Sequence, residues 1–98
     1  MIDPQVAFDK LAQFQDADEI AKYFKYEGIT GQREENDNCP IANWMIGQTG
    51  FTCFVDENSI IVLRSALIQE MFINTESMEI FINLFDQGNY PDLDEEQE

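Results

Sequence analysis

The chain has 98 residues, of which twenty are acidic, five are basic and none is His, for a net charge of −15. That length holds one domain rather than two independent cores, and hydrophobic residues at 44% with aromatics at 12% exclude global disorder, which combines high charge with few aromatics. Without His the commonest general base and the usual zinc ligand are missing, and the acidic excess argues against direct contact with nucleic acid.

Asp3 caps a first helix with Pro4 in its opening turn, and the stripe Ala7, Phe8, Leu11, Ala12 and Phe14 carries it to about Gln13. Asp16 and Glu19 stand in a capping-box relation before a second helix, with Ile20, Ala21, Tyr23 and Phe24 on its buried side and Gly28 as its left-handed stop. The two helices form a hairpin. Residues 32–38 carry no large apolar side chain and read as a surface loop, with Gly31 available for a positive φ. A third helix opens at Asn38-Cys39-Pro40, places Ile41, Trp44, Met45 and Gln48 on one face, and ends between Gly47 and Gly50.

Residues 51–55 and 60–63 are β-branched and aromatic, and the four turn-type residues between them predict a β-hairpin. Residues 66–73 fit either a strand or a helical approach; a strand is preferred because a lone hairpin is marginal. Asn74 or Thr75 caps a long apolar last helix, in which Met78, Phe81, Ile82 and Phe85 form one stripe while Ile80 and Leu84 widen it. So broad a stripe calls for burial on more than one side, at the centre of the core or against a second copy. Gly88 stops this helix, Tyr90 and Leu93 anchor an extended segment, and residues 92–98, five of seven acidic, read as a flexible tail beyond a single domain of residues 1–91. The expected class is α+β: a helical hairpin and third helix, a small antiparallel sheet of two or three strands, and a long apolar C-terminal helix.

Cys39 is the one candidate for reactivity, because a thiol at a helix N-terminus can have a lowered pKa. Against that stand the lack of a second Cys two residues away, the lack of His, and Glu34, Glu35 and Asp37 nearby, so a buried helix-start residue is the preferred reading. Cys53, in mid-strand, reads as core, and both thiols as reduced. Residues 34–38 gather acids without the ligand spacing of a calcium loop, so neither metal nor cofactor is expected. No run is long enough to span a bilayer and no leader precedes Asp3, which points to a cytoplasmic protein without a membrane partner. Of the fifteen acids before the tail, eight (Asp3, Asp16, Asp18, Glu19, Glu34, Glu35, Asp37 and Glu76) stand at proposed helix starts, where the dipole favours them.

Four motifs in order, Ala17-Asp18-Glu19-Ile20-Ala21, Gly28-Ile29-Thr30-Gly31, Cys39-Pro40-Ile41-Ala42, and Phe81-Ile82 with Phe85-Asp86-Gln87-Gly88-Asn89-Tyr90-Pro91-Asp92-Leu93, resemble a family of small proteins from bacteria and their phages that has no assigned activity. The resemblance spans residues 17–93 and implies a common small fold; the acidic loop at 32–38 and the acidic tail depart from it. The leading expectation for function is a non-enzymatic, regulatory protein-interaction module with a protein partner, homodimeric through the last helix, with Ile80, Leu84 and Tyr90 as the interface. The alternatives are an inhibitor that imitates nucleic-acid charge toward a basic DNA- or RNA-binding partner, and a thiol redox sensor at Cys39.

Overall fold

Helix starts are set side chain by side chain. In the computed structural model, which describes residues 1–95, helices α1 (Pro4–Ala12), α2 (Ala17–Glu27) and α3 (Pro40–Thr49) precede strands β1 (Thr52–Val55), β2 (Ser59–Leu63) and β3 (Gln69–Ile73), and α4 (Glu76–Asp86) follows them. The Asp3 carboxylate accepts the Gln5 N–H at 2.8 Å, Asp16 accepts the Glu19 N–H at 2.9 Å, and the Thr75 hydroxyl accepts the Met78 N–H at 3.3 Å. Each satisfies an amide that the helix itself leaves orphaned. α2 and α3 end on left-handed Gly28 and Gly50, so α3 runs through Gly47 to its stop.

The three strands form one antiparallel meander, β1-β2-β3. Cys53 pairs with Val62, Val55 with Ile60, and Ile60 with Phe72; all five are buried and make the inner face of the sheet. α3 packs against β1, and Phe8 of α1 stacks on Phe72 with ring centroids 5.1 Å apart. On the far side of the helical layer, α2 packs against α4, where Phe24 meets Phe81 edge to face at 5.6 Å and Phe81 stacks on Phe85 at 6.2 Å. Trp44, 1% exposed, joins this aromatic group through Phe24. The result is α+β, four helices with a three-stranded antiparallel sheet, and the third strand occupies Gln69–Ile73 while residues 66–68 belong to the turn before it.

Three expectations are corrected. The last helix is not long: α4 has eleven residues, the same as α2, and buries one side, Met78, Phe81 and Phe85, while Ile80 is 44% exposed. Its buried stripe packs on α2 and on Tyr90 of the returning chain, while Ile80 and Leu84 stay partly open to solvent. The segment from Asp92 is not free at its start. Pro91–Leu93 form a single 3₁₀ turn, Leu93 is buried, and residue 31 is clasped by two backbone bonds, its N–H to the Leu93 carbonyl and its carbonyl from the Glu95 N–H, each 2.9 Å. Of the expected tail, residues 96–98 lie outside the described residues. Finally, Gly31 does not have a positive φ; the non-glycine residue that does is Glu34, at +62°. Gly31 is needed because a Cβ there would lie 2.5 Å from the carbonyl carbon of Cys39 and the nitrogen of Pro40.

Candidate functional site

Cys39 occupies the N-cap of α3, where its Sγ accepts the Ala42 N–H at 3.4 Å. A thiol in that position feels the helix dipole, but burial outweighs it. Cys39 is 9% exposed, and desolvation pushes its pKa up to about 11, with the Ala42 and Ile41 amides pulling the other way and the Asp86 charge adding to the rise. Cys53 is fully buried, is raised in the same direction by burial, and donates to the Phe51 carbonyl at 3.4 Å. Both cysteines are free thiols.

Above Cys39 lies a cleft of about 220 Å³ that brings together Glu34, Glu35, Asp56, Glu57 and Asp86. Asp86 accepts the Glu34 N–H at 2.9 Å, which holds the positive-φ turn in place. The first-turn acids of α2 and α4 are where the dipole favours them, but α3 has no acid in its first turn. Glu34 and Glu35 therefore belong to this cleft and not to the helix start expected for them. Among the described residues, no three His, Cys, Asp or Glu side chains converge as metal ligands.

The three residues expected at an interface fall around one aspartate. Ile80 and Leu84 line a groove of about 390 Å³ together with Asp16, Asp18 and Glu76, and the Tyr90 hydroxyl donates to Asp18 at 2.9 Å. Tyr90 is committed to the fold: its ring stacks on Phe81 at 5.3 Å, and burial with the Asp18 carboxylate pushes its phenol up to about 12. The groove brings Ile80 and Leu84 together, while Tyr90 lines a separate recess with Asp18, Lys22 and Lys25.

A different surface carries four of the eight exposed large hydrophobic side chains among the described residues. On the outer side of the sheet, Phe54 stands opposite Ile61 and Ile61 opposite Met71, while Leu63 and Ile73 lie on the same side. An antiparallel sheet with one face on the core normally turns polar residues outward; here most outward positions on the three strands are apolar, the polar exceptions being Thr52 and Gln69 on the Leu63 row and Ser59 opposite Ile73. Met71 is 62% exposed and Ile73 66%, and in the β2–β3 turn Leu67 is 95% and Ile68 56%. Leu67 and Ile68 share a recess with Leu63 and Gln69, so the turn continues the face. Periodicity could not have found this surface, because continuous apolar runs read as strands buried on both sides.

The four motifs of the family resemblance have architectural roles at these positions: Ala17 and Ile20 are buried on α2, Gly28 is a left-handed stop and Gly31 a close approach, Cys39-Pro40 is a helix start, and residues 88–93 make the return onto α2. Compared with protein-family models, curated proteins and solved structures, the chain matches none.

Proposed function

We propose that the chain is a non-enzymatic protein-interaction module whose contact surface is the outer face of the β1-β2-β3 sheet. The observation that carries this reading is the run of outward apolar side chains across all three strands, continued by Leu67 and Ile68. Contiguous apolar patches of more than a few hundred Å² are uncommon on monomers and mark contact sites. Against catalysis stand the absence of His and a Cys39 thiol that is largely covered and pushed up to about 11, which keeps it mostly in the unreactive thiol form at neutral pH. That same burial weighs against the redox-sensor reading.

The test is a photo-reactive amino acid placed at Met71 in cells that make the protein, with the same group at exposed Asp9 of α1 as the comparison. Protein adducts that form from position 71 and not from position 9 are the expected result; equal or no adducts at 71 would refute the proposal.

A second reading, imitation of nucleic-acid charge, draws on the gathering of Glu34, Glu35, Asp56, Glu57 and Asp86 around one cleft. It requires a basic partner whose binding weakens steeply with salt.

A further inference from the structure

We infer that the occupant of the outer sheet face is a second copy of this chain, packed sheet against sheet about a two-fold axis. This rests on that face being the contact surface, and it names the partner.

Charge is the first argument. A net charge of −15 opposes any contact that brings two acidic surfaces together. Residues 58–75, which hold β2, the β2–β3 turn and β3, contain one acid, Glu70, and one base, Arg64. These two are paired with each other. The whole excess of negative charge therefore lies outside this stretch, and β1 adds no charged residue; Asp56 and Glu57 stand in the β1–β2 turn at one end of the sheet, so the centre of its outer face is where two copies can touch with few carboxylates desolvated.

Size is the second. A specific interface buries about 800 Å² on each partner, and in homodimers about 65% of it is apolar. Leu67, Ile68, Met71 and Ile73 are each more than half exposed, and with Phe54 and Ile61 beside them they supply several hundred Å², the scale of such an apolar centre. The geometry suits self-association: the row Phe54, Ile61, Met71 crosses the sheet, and a two-fold operator lays that row over its copy, with the two sheets about 10 Å apart.

The experiment is sedimentation of the purified full chain over a concentration series at about 50 mM and about 500 mM salt. The expected particle is twice the 11.4 kDa of the monomer, with association tightening several-fold at the higher salt as like-charge repulsion is screened. Met71→Glu with Ile73→Glu should weaken association at least about tenfold while circular dichroism stays that of the parent, because both side chains are exposed, and the melting temperature stays near the parent's when both are compared at a concentration low enough to be monomeric. Ile80→Glu, on α4, should leave the dimer intact. A monomer at every concentration and salt overturns the inference. So does a dimer that survives the Met71 and Ile73 changes or dissolves with Ile80→Glu. If the chain is monomeric yet position 71 still forms adducts in cells, the second copy is excluded and the interaction module stands with a different protein in its place. If position 71 forms none, both fall.

Discussion

A single methyl group at residue 31 would have nowhere to go. Its nearest neighbours would be main-chain atoms of Cys39 and Pro40 at 2.5 Å and the Asn38 carbonyl oxygen at 2.7 Å, and these are held by the start of α3 and by the 2.7 Å bond from the Gln32 N–H to the Asn38 oxygen. Gly31→Ala is expected to destabilise by about 2–4 kcal/mol in urea unfolding, while Gly47→Ala, inside α3 with nothing within 4 Å of the added carbon, should stabilise by about 0.5–1 kcal/mol. Equal effects at the two positions would contradict this account. Local chemistry was legible at this scale: Asp3, Asp16 and Gly28 act over two to four residues, and their roles follow from type and spacing. The role of Gly31 was not, because a close approach between segments leaves no mark in the residues beside it. Cys39 was legible as a helix start, and its burial then settled the sign of its pKa shift.

Among the elements, the short turn Pro91–Leu93 has the largest effect for its length. Leu93 is 2% exposed, Lys25 of α2 pairs with Asp92 at 2.9 Å, and Arg33 pairs with Asp94 at 2.9 Å. The exposed Lys25 pair adds little; burial of Leu93 is the main attachment. Leu93→Ala should cost about 2–4 kcal/mol and lower the thermal midpoint, and a change under about 0.5 kcal/mol would mean that the segment is only a tail. Composition alone made residues 92–95 look like solvent-exposed chain, since one leucine among acids is a weak signal. The helices and the hairpin were legible because their periods differ. The outer face of the sheet was hidden for the converse reason: Phe54, Ile61 and Leu63 interrupt the alternation that separates an inward from an outward side, so the surplus apolar surface was assigned to α4, where it is largely consumed by α2 and Tyr90.

At the scale of the molecule, five bases cannot neutralise twenty acids. Arg64 serves two partners, Glu70 and, at 2.9 Å, Asp3. It holds the Asp3 carboxyl below the usual carboxylate range, chiefly through their hydrogen bond and then with help from the Gln5 N–H. Because Asp3 is lowered in the folded state, its contribution is present above its unfolded value of 3.8 and is lost as the pH falls through the folded one. The remaining acids repel one another. Raising salt from about 10 mM to about 150 mM should therefore raise the melting temperature by several degrees, measured at a concentration low enough to keep the chain monomeric. A midpoint that falls with salt would show that ion pairs outweigh repulsion in this fold.

The clasp between residue 31 and residues 93–95 also orders events in time. The meander closes between neighbours in the chain, whereas the clasp joins segments more than sixty residues apart, and distant contacts close later than local ones. The sheet can thus be complete while α2 and the 31–38 loop still lack their last support. Any state in which the clasp is open presents the apolar outer face on a chain whose helical layer lacks that support, and such a state favours aggregation over correct pairing.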